Sequence, residues 1–285
     1  MRVQVGDVRL FFDVEGAKLV PSGPWMRERP TVVLLHTGPG PDHSLYKEHV
    51  GPALARDAQV IYLDLRGSGR SDWSSAEHWT LDTWAADLAG FCDALELERP
   101  VLLGTAFGGA IALLHAVRRP ETVDRLVLVS TVGRYVHTRS IAVFDRLGGA
   151  QAGEIAARYF AEPSDATFAE FLRVCVPLYT RTPLSPDTVA RMAMNVELTQ
   201  YWDREERDFD IRAAAAELRT PTLVLAGEDD PSTTVVGTEE LVAAMPPDLV
   251  EYHRYPSAGH GVFRDVPDAV ERVREFLLRG QGEGA

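Results

Sequence analysis

Short apolar runs recur along the chain and alternate with longer stretches whose apolar residues follow helical spacing. Nearly all of these runs are apolar on both faces, which is typical of parallel strands covered by helices above and below. The pattern predicts an α/β fold with a mostly parallel, doubly wound sheet. The six predicted strands are residues 31–36, 59–65, 101–104, 125–130, 221–227 and 249–255.

The N-terminal residues alternate apolar and polar side chains on either side of Gly6 and Asp7. This alternation predicts a β-hairpin, whereas a signal peptide would carry a continuous apolar run of about 7 to 15 residues. A proline-rich connector near Pro21 to Pro30 follows the hairpin. No later run approaches the ~18 apolar residues that a membrane span requires. We therefore expect a soluble, cytoplasmic protein.

The alternation of strands and helices stops after Ser130 and resumes at Thr220. The intervening stretch is too long for a loop inside a compact domain, and its segments 152–160 and 186–202 each have the spacing of a helix with an apolar face. A chain of 285 residues has room for two domains or for one interrupted domain. We predict the latter: a core at residues 1–130 and 220–285, with a helical cap, or lid, at 131–219.

Composition narrows the range of partners. Asp and Glu number 42 against 29 Lys and Arg, which gives a formal charge of −13. Because such a surface repels phosphate backbones and anionic lipid headgroups, we expect neither nucleic acid nor a membrane as a partner. Cys92 and Cys175 are too few for a disulfide framework and lack the spacing of a zinc site. We expect a small-molecule substrate, no metal and no cofactor, and leave a homo-oligomer open.

A glycine-rich turn at residues 36–40 directly follows the first of the six strands. At the carboxyl end of a parallel strand, glycines let backbone N–H groups point into the crevice where open α/β folds bind ligands. The N–H groups of Thr37 and Gly38 are therefore candidate donors to an oxyanion. The same glycines would also suit a tight turn without any chemical role.

Residues 104–109 lie between a predicted strand and a predicted helix, the context of a G-x-S-x-G nucleophile elbow. The central position, where such an elbow carries serine, is occupied by Ala106. The helix that begins at Phe107 offers its N–H groups and the positive end of its dipole to an anion. The N–H of Phe107 is thus another candidate oxyanion donor. Every feature of the elbow is present except the nucleophilic oxygen.

An acid and a histidine follow later strands. Asp229 and Asp230 come after the strand at 221–227, and His260 comes after the strand at 249–255. We assign Asp230 as the acid because it is the third residue after Gly227. The remaining histidines, including His115, show no pairing at metal-ligand spacing.

Together these elements resemble the α/β-hydrolase superfamily, and within it the branch of proline iminopeptidases and related esterases. That branch is similar in its HGGPG-type turn, here 36–40, its D-x-R-G-x-G-x-S segment, here 64–71, and its double-glycine elbow, here 104–109. The chain order of nucleophile, acid and histidine also agrees. The resemblance covers the sheet domain and implies an α/β-hydrolase fold with Ala106 at the nucleophile position, Asp230 as acid and His260 as base. In the middle segment, Asp64 and Arg66 are expected to tie loops together.

Two residues depart from the pattern. Thr37 replaces the first glycine of the turn, which need not matter if only its backbone N–H is used. Ala106 replaces the nucleophile, and loss of a triad serine costs on the order of 10⁶ in turnover, so the chain as written is expected to be nearly inert. Thr105 is a poor substitute because it precedes the apex and should face away from His260. Either an active serine hydrolase has been altered from Ser to Ala, which the otherwise intact site favours, or the alanine is natural.

The expected function is serine-type hydrolysis of a small ester, amide or lactone through an acyl-enzyme. One alternative is an aminopeptidase similar to proline iminopeptidase, which needs carboxylates to hold the substrate's α-ammonium group. Another is a natural pseudoenzyme that binds a small ligand without turnover. The candidate substrate contacts are Glu197, Tyr159 and Trp202, and further cap carboxylates are Glu154, Glu205 and Glu206.

Overall fold

The computed structural model describes residues 1–206 and 208–279, with only the backbone of Glu206. Residues 280–285, assigned above to the core, lie outside the described residues. The strands are β1 (Arg2–Val5), β2 (Val8–Glu15), β3 (Leu19–Ser22), β4 (Trp25–Glu28), β5 (Thr31–Leu35), β6 (Gln59–Leu63), β7 (Val101–Thr105), β8 (Leu126–Val129), β9 (Thr222–Gly227) and β10 (Val250–Tyr255).

Eight of the described strands form one sheet in the order β1-β2-β6-β5-β7-β8-β9-β10. Strands β6, β5, β7, β8, β9 and β10 run parallel to one another, whereas β1 and β2 are antiparallel additions at one edge. The predicted mostly parallel sheet is confirmed, and all six predicted strands are present. Since the carboxyl ends of parallel strands share one edge, the turns that follow β5, β7, β9 and β10 meet there.

The period-two alternation of each parallel strand divides its apolar side chains between two cores. Val33 and Leu35 of β5 are buried on one face of the sheet. Val32 and Leu34 of the same strand are buried on the other face. Fully burying each such side chain stabilises the fold by about 1.5–3 kcal/mol, which explains why these strands are apolar on both sides.

Helices cover both faces of the sheet, so the doubly wound arrangement is also confirmed. On one face lie α2 (Leu81–Ala94) and α3 (Phe107–Arg118), with Trp84 and Ile111 in the core. On the other lie α1 (Val50–Leu54), α10 (Val262–Asp265) and α11 (Ala269–Leu278), with Leu54 and Val273 in the core. The helices are α1 (Val50–Leu54), α2 (Leu81–Ala94), α3 (Phe107–Arg118), α4 (His137–Ala161), α5 (Asp165–Val174), α6 (Pro186–Arg191), α7 (Val196–Tyr201), α8 (Arg212–Ala215), α9 (Val235–Ala244), α10 (Val262–Asp265) and α11 (Ala269–Leu278).

The chain between β8 and β9 carries α4 to α8 and, within its described residues, no strand. It has a small core of its own around Phe144, Tyr159 and Phe171. Leu198, Trp202, Ile211 and Ala215 instead join the core under the sheet, and the described residues of the insertion's own core end at Tyr179.

The prediction of one helix over 186–202 is wrong. Helix α6 ends at Arg191, and α7 begins only after Asn195, whose side chain accepts a hydrogen bond from the N–H of Leu198 at 3.2 Å. The chain between the two helices is held by loops of the sheet domain: the Ala193 N–H donates to Asp42 at 3.1 Å, and the Asn195 N–H donates to the Gly40 carbonyl at 3.0 Å. These tertiary contacts outweigh the helical periodicity.

The N-terminal hairpin is confirmed as β1 and β2 around Gly6. The proline-rich connector, in contrast, contains a second hairpin of β3 and β4, with a turn at Gly23 in left-handed conformation (φ 60°). Both cysteines are free and buried. Among the described residues, no helix is long and apolar enough to cross a bilayer.

Candidate active site

The turn from β7 into α3 places position 106 at the carboxyl edge of the sheet. Ala106 has φ 50° and ψ −110°, a conformation that is unfavourable for a residue with a side chain. It is only 5% exposed. A Cβ on Gly104 would overlap the Gly108 carbonyl, and a Cβ on Gly108 would overlap the Leu35 carbonyl. The two glycines therefore allow α3 to start directly against β5 and β7, which is the geometry of a nucleophile elbow.

Asp230 and His260 lie together at the same edge. Asp230 Oδ2 is 2.9 Å from Nδ1 of His260, and the carboxylate is completely buried. It also accepts hydrogen bonds from the N–H groups of Ser232 (2.8 Å) and Thr233 (2.9 Å) and from the Thr233 hydroxyl (2.7 Å). A carboxylate only accepts, so Nδ1 of His260 carries the proton and Nε2 is left as the basic nitrogen.

The carboxylate of Asp229, the residue before Asp230, pairs with two arginines. Asp229 pairs with Arg146 at 2.7 Å and with Arg181. Burial acts to raise the pKa of Asp229, but the hydrogen bonds from the two guanidinium groups outweigh it and leave that pKa below its usual value. Of the two adjacent aspartates, Asp230 is therefore the one placed against His260.

The turn at residues 36–40 lies beside position 106. His36 is fully buried, and this burial lowers the pKa of its imidazole, so the ring is neutral. Its Nε2 accepts a hydrogen bond from the Leu65 N–H at 3.1 Å, and its Nδ1 donates to the Thr37 carbonyl at 2.7 Å. Gly38 has φ 131°, which favours glycine. The buried ring thus fixes the peptide that carries the candidate oxyanion donors.

The three candidate oxyanion donors belong to two neighbouring turns. Thr37 and Gly38 line the same cavity as Ala106 and His260. Phe107 is the first residue of α3, so its N–H has no acceptor within the helix.

The side chain of Thr37 contacts His260, in addition to the candidate role of its backbone N–H. Its Oγ1 lies 3.3 Å from Nε2 of His260. Thr105, the substitute considered above, is instead hydrogen-bonded to the Tyr46 hydroxyl at 2.7 Å.

The segment at 64–71 holds loops together. Asp64 accepts hydrogen bonds from Nδ1 of His43 at 2.6 Å and from the Arg70 N–H at 2.9 Å. Arg66 is buried and forms bidentate pairs with Asp87 and Asp7. These contacts agree with the structural role expected for Asp64 and Arg66.

A cavity of about 630 Å³ opens above position 106, within the range of 300–1,000 Å³ typical of small-molecule sites. Its wall is mostly apolar and aromatic and comes from both the sheet domain and the insertion. The insertion contributes Tyr135, Tyr159, Phe168, Phe171, Leu172, Tyr179, Met192, Met194 and Trp202, among others.

Residues 30–265 match the family model described as the alpha/beta hydrolase fold. The chain belongs to this α/β hydrolase family. The 2-hydroxy-6-oxo-2,4-heptadienoate hydrolase of Pseudomonas putida is 32% identical over 256 residues, which cover 86% of each chain. The proline iminopeptidase of Levilactobacillus brevis is 27% identical over 265 residues, covering 86% of this chain and 87% of the relative. The crystal structure of the enol-lactonase from Burkholderia xenovorans LB400 matches with a TM-score of 0.70 at 21% identity, covering 98% of this chain and 100% of that one, which shows the shared fold.

The candidate substrate contacts of this α/β hydrolase lie in different places. Tyr159 and Trp202 line the cavity, and the Trp202 ring packs edge-on against Phe107 with centroids 5.0 Å apart. Glu197 is exposed on the first turn of α7 and lies outside the residues that line the cavity, because the buried side of that helix is taken by Leu198.

The other cap carboxylates proposed from the sequence do not line the cavity either. Glu154 and Glu205 are exposed, and the side chain of Glu206 lies outside the described residues. The carboxylate at the wall is Asp203, which is hydrogen-bonded to the Tyr159 hydroxyl. In the sequence, Asp203 directly follows the aromatic residues Tyr201 and Trp202, and this position could have indicated that it lines the cavity.

Two arginines also line the cavity of the hydrolase and were missed. Arg181 is paired with Asp229, as described above. Arg264 donates to the Thr182 carbonyl at 3.1 Å. Burial lowers the pKa of Arg264. Its Nη2 would lie 2.7 Å from a Cβ placed on Gly261, the residue after His260. Although the overall charge is −13, the guanidinium group of Arg264 lies close to His260.

Metal-ligand residues do not cluster in the part of the chain that the structure describes: no group of three His, Cys, Asp or Glu side chains is placed to hold an ion.

Proposed function

We propose that this α/β hydrolase is a serine-type hydrolase of a small ester, amide or lactone, and that serine belongs where Ala106 stands. The observation that carries the proposal is the left-handed backbone of Ala106, at the wall of the cavity that also receives His260. A strained conformation persists only where its surroundings enforce it, and such conformations cluster at active sites. An elbow without a nucleophile keeps this strain without its chemical use, which favours a change from Ser to Ala.

With serine at 106, the reaction would use groups that are already in place. The hydroxyl attacks the substrate carbonyl while Nε2 of His260 takes its proton, and Asp230 orients and stabilises the resulting imidazolium. The N–H of Phe107 and that of Thr37 or Gly38 donate to the oxyanion, with each donor contributing about 3–4 kcal/mol. His260 then returns the proton to the leaving group, and water releases the acyl group.

The cavity supports a small substrate with an apolar body and an anionic group. Its wall is mainly aromatic and aliphatic, and Arg264 offers a cation beside His260. The Pseudomonas putida relative is named for an oxo-dienoate, which is a carboxylate. Hydrolysis of an oxo-dienoate is therefore a second candidate function.

The peptidase alternative is supported by the similarity to a proline iminopeptidase and by one acidic side chain, Asp203, at the cavity wall. The pseudoenzyme alternative is supported by Ala106 itself. The two alternatives make opposite predictions for the serine form, since a pseudoenzyme would bind without turnover.

The decisive test is Ala106→Ser, assayed on neutral and carboxylate-bearing nitrophenyl esters, lactones, an oxo-dienoate and proline nitroanilide. We expect the serine form to exceed the alanine form by up to about 10⁶-fold in turnover on its preferred class. Faster cleavage of the proline amide than of every other substrate would select the peptidase. Binding without turnover on any class would refute the hydrolase proposal and leave the pseudoenzyme.

A further inference from the structure

The two departures from the hydrolase pattern, Ala106 and Thr37, both concern the hydroxyl partner of Nε2 of His260. Ala106, which lines the same cavity as His260, has no hydroxyl, whereas Thr37 has one whose Oγ1 lies 3.3 Å from Nε2 of His260. A glycine at position 37 would have no side chain to offer. The imidazole therefore retains a hydroxyl partner, although it comes from the turn after β5 instead of the elbow.

On the other side of the imidazole ring, His260 is hydrogen-bonded to Asp230. Nδ1 of His260 lies 2.9 Å from Asp230 Oδ2 and is the protonated nitrogen, so Nε2 can accept a proton from Thr37. A hydroxyl, a base within hydrogen-bond reach and a third group that orients the base are the parts of an activated nucleophile. The distance of 3.3 Å is slightly beyond the usual 2.6–3.2 Å, as is common in sites without substrate.

Three other hydroxyls around His260 have different hydrogen-bond partners. Thr105 is hydrogen-bonded to Tyr46, and the Ser130 hydroxyl donates to the His260 carbonyl at 2.9 Å. Thr233 lies on the Nδ1 side, where its hydroxyl donates to Asp230. Within the described residues, Thr37 supplies the hydroxyl that is hydrogen-bonded to Nε2.

Thr37 also has access to a substrate. It lines the 630 Å³ cavity together with Gly38 and Ala106. The methyl group of Ala106 leaves the apex of the elbow without an oxygen, so a carbonyl compound in the cavity meets the Thr37 hydroxyl as the activated one. The attack would use the side chain of Thr37, so the N–H groups of Phe107 and Gly38 would still be candidate donors to an oxyanion.

We propose that the chain with Ala106 is a slow, threonine-dependent esterase in which Thr37 is the nucleophile. The Thr37 hydroxyl gives its proton to Nε2 of His260, and Oγ1 forms a bond to the ester carbonyl carbon. The bond to the leaving oxygen breaks, and that oxygen takes the proton from Nε2. Water then attacks the acyl-threonine with His260 as base, which releases the acid and restores the Thr37 hydroxyl. The inference does not depend on a serine at position 106.

The test uses the alanine chain itself with 4-nitrophenyl acetate. Thr37→Val keeps the shape and removes the proposed nucleophile, so the protein-dependent rate should fall by at least about 100-fold, since loss of a triad nucleophile can cost up to about 10⁶. Thr37→Ser should retain the rate within about threefold, since the hydroxyl and its base remain. Thr105→Val, which removes a hydroxyl that faces Tyr46, is the matched control and should leave the rate unchanged.

A second readout locates the acyl group. Acid quenching during turnover, followed by peptide mapping by mass spectrometry, should find acetyl on Thr37 in the parent and at the same position in the Thr37→Ser variant. Acetyl on His260, or a rate unchanged in folded Thr37→Val, would overturn the proposal. A parent chain with neither protein-dependent turnover nor a labelled Thr37 would overturn it as well. None of these outcomes bears on whether Ala106→Ser is active, so the two proposals fail separately.

Discussion

Replacing Asp230 with asparagine in the Ala106→Ser protein tests the assignment of the acid. Asp230 is fully buried and accepts four hydrogen bonds: two from backbone N–H groups to Oδ1, and one each from the Thr233 hydroxyl and Nδ1 of His260 to Oδ2. Asparagine keeps one acceptor oxygen, which the two backbone N–H groups would hold. Its NH₂ group then faces Nδ1 of His260, so the ring must turn Nδ1 into an acceptor and place its proton on Nε2.

A histidine protonated on Nε2 cannot accept the proton of the nucleophile. The same substitution in a serine protease triad lowers kcat by about 10⁴, which corresponds to about 5.5 kcal/mol of transition-state stabilisation. Asp229→Asn is the matched control, because it changes the adjacent carboxylate and disturbs only the pairs with Arg146 and Arg181. We expect this control to change kcat by less than about tenfold, since it leaves the tautomer of His260 alone.

Steady-state hydrolysis of a nitrophenyl ester, measured on both variants with circular dichroism to check folding, distinguishes these expectations. The ratio of the two kcat values should be about 10³ or more. Equal losses in two folded variants would refute the assignment of Asp230 and the tautomer argument with it.

Two further predictions concern the scaffold. Gly108→Ala should lower the free energy of unfolding by about 1–3 kcal/mol, because the added Cβ overlaps the carbonyls of Leu35 and His36; an unchanged urea midpoint would contradict the close packing of α3 on β5. Burial lowers the pKa of His115 from 6.5 to about 4, so the unfolded chain takes up a proton before the folded one does, and stability should fall as pH decreases from 6.5 to 4, by at most roughly 3 kcal/mol from this residue. Urea unfolding across that range should show a shallower pH dependence in His115→Gln, and identical slopes would contradict the prediction.

The sheet and the position of the site were predictable because their signals are local. Strands that are buried on both faces are apolar along most of their length, as in β5 and β9. The glycines of the elbow allow a close helix–strand contact that a side chain would block. Ala106, Asp230 and His260 each follow a predicted parallel strand, so their three turns were expected at the same edge of the sheet. The fold prediction was confirmed for these reasons.

The insertion was harder to predict, because its structure depends on contacts with distant residues. The helical spacing over 186–202 gave no sign that Asn195 would pair with the turn at Gly40 and interrupt the helix. The charge of Glu197 predicts a substrate contact, yet the charged residues at the wall include Asp203 and Arg264 and not Glu197. The sequence pattern assigns Thr37 only a backbone role, because the contact of its side chain with His260 joins residues more than 200 positions apart in the chain.

The elbow shows why one atom can be missing while the rest of the site stays in place. The conformation of position 106 is determined by its neighbours: Gly104 and Gly108 admit the close approach of α3, and the Ala106 N–H donates to the Val129 carbonyl at 2.8 Å. None of these contacts involves the side chain at 106. Serine differs from alanine by one oxygen on the same Cβ, so it fits the same backbone without rearrangement. On the proposed function, a hydroxyl at position 106 would therefore change the chemistry of the candidate site without changing its structure, and Asp230, His260 and the candidate oxyanion donors could keep their places around an alanine.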